Sequence, residues 1–225
     1  MKRSEINRSI ILASQALRRC SFVLPPFAHW PPETWNLAKT ETERIRANGL
    51  GWHVTDFGLG NFDQYGAVLF TLRNGNPYHP ELGTPYAEKV IILKPGQRLP
   101  LHFHWSKTED IINRSGGPLM VELYNSMADE SVKRMSPVTV FCDARSRTLE
   151  AGGILALPPG ESITITPRLY HSFYVAPDGD VLICGEVSTV NDDQKDNRFA
   201  EALGAFSVVE EDEAPIHLLC NEYPS

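Results

Sequence analysis

Two histidines one residue apart, His102 and His104, are followed by Glu109 in the segment from Gly96 to Gly116, GQRLPLHFHWSKTEDIINRSG. In an extended strand, side chains alternate with period two, so both imidazoles project from one face and can reach a common ion. Glu109 can return a hard oxygen ligand from the turn or from the next strand. Imidazole mixed with carboxylate suits borderline and harder divalent ions, namely Mn, Fe, Co, Ni or Zn. The chain has seven histidines in 225 residues. At that content an HxH pair alone arises by chance about 0.2 times per chain, and requiring the glutamate and both outer glycines lowers this to roughly one in ten thousand.

Such a set needs a rigid strand framework, and the text from Lys89 to Ser188 supplies one. Val90 to Leu93 is a buried-strand run that ends at the turn Lys94-Pro95-Gly96. Further strand-like runs cover Met120 to Tyr124, Val138 to Phe141, Ile154 to Leu157, Ser162 to Thr166, Ser172 to Val175 and Val181 to Val187. Gly116-Gly117-Pro118, Gly152-Gly153, Pro158-Pro159-Gly160 and Pro177-Asp178-Gly179 separate them. Short strands with turn chemistry between them predict a sandwich, jelly roll or barrel. Earlier, Tyr65 to Leu72 is β-branched and aromatic, and Asn74-Gly75 is a hairpin-type turn signal.

The first fifty residues read as helical. Ser4 suits an N-cap, and Ile6, Ile10, Ala13 and Leu17 share one face. Pro31 and Pro32 suit a second helix entry, Glu33 to Asn48 continues it, and Gly49 is a natural C′ residue. A short helix is expected around Arg198 to Ala205, and the acidic run Glu210 to Glu213 reads as a solvated face. The chain is expected to be a single domain over 1–225. Within it, 1–50 is a helical extension, 52–199 the barrel core and 200–225 a C-terminal segment.

Composition narrows the partners. A net charge of −7 and a pI near 5.5 argue against a nucleic-acid or anionic-membrane partner, which would favour a basic face. No stretch approaches the roughly 20 apolar residues needed to span a bilayer. The N-terminal run from Ile6 to Cys20 is interrupted by polar and charged residues, so it is no signal-peptide core. Cys20, Cys142, Cys184 and Cys220 form no CxxC pair and read as free thiols of a reducing, cytoplasmic protein.

Glycine, five residues, HxH, glutamate and a closing glycine resemble the first motif of the cupin family. That resemblance implies a mainly β cupin, a jelly-roll (double-stranded β-helix) barrel with N-terminal helices. Gly152 and Pro158-Pro159-Gly160 are similar to the second cupin motif, but its histidine is displaced. The candidate is His171, eleven residues after Gly160, where Tyr170-His171-Ser172-Phe173 begins another strand. The flanks resemble the D-lyxose isomerase family more closely, through His102-Phe-His104-Trp-Ser-Lys107-Thr-Glu109-Asp110-Ile-Ile-Asn113-Arg114 and Glu186-Val-Ser-Thr-Val-Asn191-Asp192-Asp193. The likeness runs from about Lys89 to Phe199. It implies a manganese-dependent aldose–ketose isomerase acting on D-lyxose and D-mannose to give D-xylulose and D-fructose.

On that reading, His102, His104, Glu109 and His171 hold one divalent cation per subunit, with Mn favoured and Co, Zn, Fe or Ni compatible. A base must move a proton between C2 and C1 of the open-chain sugar. Lys107, between His104 and Glu109, and Glu186, inside an apolar strand, are the candidates. Each has a plainer alternative, Lys107 as a surface cation and Glu186 as an outward strand position. Asp193, Asn191, Arg168 and Tyr170 are candidates for sugar hydroxyls, and Trp105 for a stacking wall or a rim aromatic. Arg98 and Arg168 could instead serve a phosphosugar isomerase. A non-haem iron dioxygenase and a non-catalytic sugar-binding cupin are the other rivals. His29, His53, His79 and His217 lack ligand spacing and default to surface or satisfied core positions. A homodimer is the expected assembly.

Overall fold

A computed structural model of the chain describes residues 1–37, 42–190, 192, 195–203 and 207–224. Helix α1 spans Arg3–Arg19, with short helices α2 at Pro32–Leu37 and α3 at Glu43–Ala47. The strands in chain order are β1 Gly51–Thr55, β2 Ala67–Gly75, β3 Gly83–Leu93, β4 His102–His104, β5 Glu109–Ser115, β6 Leu119–Ser126 and β7 Val132–Lys133. They continue with β8 Val138–Cys142, β9 Arg145–Leu149, β10 Gly153–Leu157, β11 Ser162–Ile165, β12 Leu169–Tyr174, β13 Leu182–Thr189 and β14 Asn197–Phe199. This is the mainly β, curled-sheet barrel with N-terminal helices that the motifs implied.

Two antiparallel sheets build it. One runs β1-β2-β3-β13-β5-β11-β8-β9, and the other β10-β6-β12-β4-β14 with β7 beside β6. Their inner faces enclose a core that includes Ile91, Leu93, Ile111, Val121 and Phe173. A second core lies outside the larger sheet, where Ile6, Ile10 and Leu17 of α1 cover Val68, Val90 and Ile92. Strand β3 is therefore buried on both faces, which is why Val90 to Leu93 is apolar without alternation. Odd positions face the barrel and even ones face the helix. Lys89 shares the parity of Ile91 and Leu93, and so points inward.

Several local expectations differ. Lys2, not Ser4, occupies the N-cap of α1. Ser4 sits in the first turn, and its amide and hydroxyl donate to Asp212 at 2.8 and 2.7 Å. The expected helix over Glu33 to Asn48 is two short helices. Residues 38–41 lie outside the described residues, and Thr42 takes a non-helical backbone at the start of α3. Asn74 and Gly75 belong to β2, and the turn comes next. There the Asn76 side-chain oxygen accepts the amides of Tyr78 and His79 at 2.9 and 3.1 Å, an Asx turn.

The helix expected around Arg198 to Ala205 is replaced by β14. Its backbone pairs with β4, setting Asn197 opposite His104 and Phe199 opposite His102; residues 204 and 205 lie outside the described residues. The acidic run Glu210 to Glu213 is more than a solvated face. Arg3, 2% exposed, pairs with Glu211 at 2.6 Å and Glu222 at 2.5 Å, and Asn7 donates to Glu213 at 2.6 Å. These bonds strap the C-terminal segment onto α1. None of the four cysteines forms a disulfide, and burial pushes the Cys184 thiol up to about 12. Among the described residues no helix is long and apolar enough to cross a membrane.

Candidate active site

His102 and His104 are the two ends of β4, and His171 on β12 stands directly opposite His102 in the register. The three are buried, and their ligand atoms lie within 4.8 Å of one another. His102 Nδ1 is 2.8 Å from the Pro100 carbonyl and His171 Nδ1 is 2.9 Å from that of Leu169. A carbonyl only accepts, so each Nδ1 carries a proton, and in the neutral ring Nε2 is the lone-pair atom. Burial, then repulsion from His171 and His104, holds His102 well below its usual value. Burial, then the Lys107 ammonium, also lowers His104. These two imidazoles are thus neutral donors at neutral pH, as metal binding requires.

Glu109 reaches the histidines from the opposite sheet, as the first residue of β5. Its Oε1 is 3.4 Å from His104 Nε2 and 3.3 Å from His171 Nε2. Burial alone would raise this carboxyl, but Lys107 and His104 outweigh it and hold it well below the ordinary range. His104 Nε2, His171 Nε2 and Glu109 Oε1 are all buried without a hydrogen-bond partner. Lone pairs aimed at one buried point are costly unless a cation takes them. The buried histidine set fits a divalent metal site, and the adjoining carboxylate suits a borderline or hard ion.

Next to this point lies an alternating array of charges. Lys107 Nζ is 2.5 Å from Glu109 Oε2 and 3.0 Å from Glu186 Oε1. Glu186 Oε1 is also 3.2 Å from Ser188 Oγ and 3.6 Å from Lys89 Nζ. Lys107 is 2% exposed and Glu186 3%; neither is the surface residue that its plainer alternative supposed. Lys89 on β3 pairs directly with Glu186 on β13. Lys89 belongs to no motif; its one sequence signal is its place two residues before Ile91 at the head of the apolar run of β3.

The loop that carries Lys107 is held by Asp196. One carboxylate oxygen accepts the Ser106 amide and hydroxyl at 2.9 and 2.8 Å, and the other accepts the Lys107 amide at 3.0 Å. The cavity beside the histidines has apolar walls that include Leu69, Phe173 and Phe199, with His53, Thr55 and Asn197 as further polar groups. His53, given a default surface or core role from sequence, is buried on β1 and faces this cavity. His79 is exposed beside Glu81, and His29 and His217 face each other at 6.5 Å.

The proposed sugar contacts Tyr170, Arg168 and Trp105 are not brought to the cavity. Tyr170 neighbours His171 in a strand, so alternation turns it to the other face, where its hydroxyl donates to the Glu130 carbonyl at 2.7 Å. The Arg168 guanidinium lies over Phe103 and Trp105 at 5.4 and 5.2 Å and donates to the Met127 carbonyl. Trp105 is 37% exposed. Arg98 is paired with Glu122 at 2.9 Å, also outside the cavity. Asn191 and Asp193 lie outside the described residues.

The family model for D-lyxose isomerase matches residues 1–223. The chain is 46% identical to the D-lyxose/D-mannose isomerase of Serratia proteamaculans, over 99% of this chain and 98% of that protein. It is 45% identical to the D-lyxose/D-mannose isomerase of Escherichia coli O157:H7, with the same coverage of 99% and 98%. Among solved structures it is similar to the L-ribose isomerase of Cellulomonas parahominis with L-psicose, at a TM-score of 0.57 and 17% identity. That alignment covers 93% of this chain and 98% of the other. The L-ribose isomerase of Acinetobacter sp. DL28 in complex with L-ribose aligns at a TM-score of 0.58 and 15% identity, over 92% and 98%. At these identities the structural likeness concerns the fold.

Proposed function

The chain belongs to the D-lyxose isomerase family, and we propose that it is a metal-dependent aldose–ketose isomerase interconverting D-lyxose with D-xylulose and D-mannose with D-fructose. The observation that carries this reading is the convergence of His104 Nε2, His171 Nε2 and Glu109 Oε1, buried and unpartnered, beside the Lys107–Glu186 pair. His102, His104, Glu109 and His171 would hold one divalent cation, manganese favoured. When bound, the cation supplies Lewis-acid polarisation of the sugar carbonyl and stabilises developing negative charge.

The remaining chemistry belongs to the chain. Glu186 and Lys107 lie close enough together to hold and return a proton as the sugar passes through a cis-enediol between C2 and C1. The apolar walls exclude water from that transfer. His53, Thr55 and Asn197 face the same space and supply hydrogen-bonding groups for sugar hydroxyls. Asn191 and Asp193 remain proposals for that role. The reading extends to a single-domain, cytoplasmic homodimer.

Arg98 and Arg168 lie away from the cavity, so the free sugar is favoured over a phosphorylated one. Turnover of D-lyxose and D-mannose, compared with mannose 6-phosphate in kcat/KM, tests the reading. A preference of about tenfold for the phosphate, roughly 1.4 kcal/mol of transition-state binding, would replace it with a phosphosugar isomerase.

A further inference from the structure

Three groups hold Glu186, and each makes its closest approach to the same oxygen. Its Oε1 is 3.0 Å from Lys107 Nζ, 3.2 Å from Ser188 Oγ and 3.6 Å from Lys89 Nζ. Among the described residues, no hydrogen bond to Oε2 accompanies these. A carboxylate turns readily about its last torsion, whose profile is broad and roughly two-fold. One partner would leave it free to rock. Partners converging on Oε1 from β3, from β13 itself and from the loop before β5 fix its plane.

Lys107 cannot do this alone. Its ammonium is shared with Glu109, and that contact, at 2.5 Å, is the shorter of the two. Among the described residues the array holds two buried carboxylates, and Lys89 brings a second buried ammonium to them. Lys89 arrives by register, directly opposite Glu186 across the β3–β13 ladder, and Ser188 lies two residues beyond Glu186 on the same face.

We propose that Lys89 and Ser188 are positioning residues that pin Glu186 Oε1 and thereby present Oε2 to the C1–C2 edge of the sugar. The proposal rests on the isomerase reading above. Oε2 takes the C2 proton, the C2–H electron pair becomes the C1=C2 bond, and the carbonyl pair moves onto O1, which is protonated. Return of the proton to C1 with loss of the O2 proton completes the ketose, and no other reactant is required. A fixed Oε2 serves one face of the enediol. A loosened one reaches the other face as well, and reprotonation there at C2 gives the epimeric aldose.

The test uses full-length, metal-loaded protein with Lys89→Met, Lys89→Arg, Ser188→Ala and, as reference, Glu186→Gln. Misplacing a reacting group by about 1 Å costs up to roughly a hundredfold, so Lys89→Met should lose about tenfold to a hundredfold in kcat. Its KM for D-lyxose and its metal content by elemental analysis should stay near wild type. With D-xylulose as substrate Lys89→Met should also form D-xylose, the C2 epimer of D-lyxose, and Lys89→Arg should recover part of the loss in kcat. Ser188→Ala should show a smaller loss with the same epimer, and it carries the test if Lys89→Met does not fold. Wild-type kcat in Ser188→Ala and in the folded Lys89 variants, or losses confined to KM and metal content without epimer, would overturn the proposal. A crippled Glu186→Gln beside normal Lys89 and Ser188 variants defeats only this inference, whereas a fully active Glu186→Gln defeats the reading beneath it.

Discussion

Glu109 Oε1 lies 3.3 Å from His171 Nε2, although the glutamate opens β5 in the larger sheet and the histidine sits in β12 of the smaller one. His171 Nδ1 faces a carbonyl and carries a proton, so in the neutral ring Nε2 is the lone-pair atom facing the carboxylate oxygen. A cation between them would tie one sheet to the other. Ligand binding stabilises the folded state by about 2.7 kcal/mol at a concentration a hundredfold above Kd. Manganese added to chelated protein should therefore raise Tm by several degrees, and Glu109→Gln or His171→Ala should abolish that rise. An equal rise in both variants would place the ion elsewhere.

Proton transfer should separate from metal binding. Glu186→Gln and Lys107→Met keep much of the side-chain volume and remove the acid–base group, so each should lose kcat while retaining metal. A general base contributes roughly 10²–10⁴-fold, which is the loss expected for the residue that carries the proton. Turnover in deuterated water should place deuterium on the product carbon. Near-normal kcat in both variants would show that neither residue moves the proton.

Asp196 is expected to matter although it does not line the cavity. Its carboxylate fixes the amides of Ser106 and Lys107 and the Ser106 hydroxyl. Asp196→Ala releases the loop that places Lys107, and a displaced reacting group predicts a loss of about tenfold in kcat. Metal content should hold, because the histidines are set by β4 and β12. Unchanged kcat would remove Asp196 from the account.

The difference between what could be read from sequence and what could not follows strand geometry. His102 and His104 were legible because a two-residue period puts them on one face, and the barrel brings His171 beside them. The same rule, applied to Tyr170 next to His171, would have turned it away from the cavity; closeness in sequence to the motif misled there. Lys89 needed knowledge that β3 is covered by α1 outside and faces the cavity inside. Asp196 lies ninety positions from Ser106, and no local pattern announces such a contact. The Arg198 segment carries helix-forming residues, yet its pairing with β4 makes it a strand.

The terminal strap predicts a pH dependence of stability. Hydrogen bonding to Arg3 lowers the Glu211 carboxyl, so its contribution is present above the ordinary carboxylate value and is lost as pH falls through the lowered one. Arg3 is buried, but Glu211 is 57% exposed, so Arg3→Met should cost about 1–3 kcal/mol rather than the full penalty of a broken buried pair. Denaturant unfolding of both proteins should show the gap at neutral pH and its narrowing in acid. A gap that widens on acidification would have the wrong sign.

Isomerisation is expected to depend on an ion held by the converging histidines and Glu109. The most direct measurement is D-xylulose formation from D-lyxose, with metal content determined on the same samples, for protein as purified, after chelation and after manganese is restored. Active protein should hold about one divalent ion per chain, lose ion and turnover together on chelation and recover both with manganese, with His102→Ala and His104→Ala failing to recover either. Full turnover by metal-free protein, or full metal occupancy in both histidine variants, would contradict it.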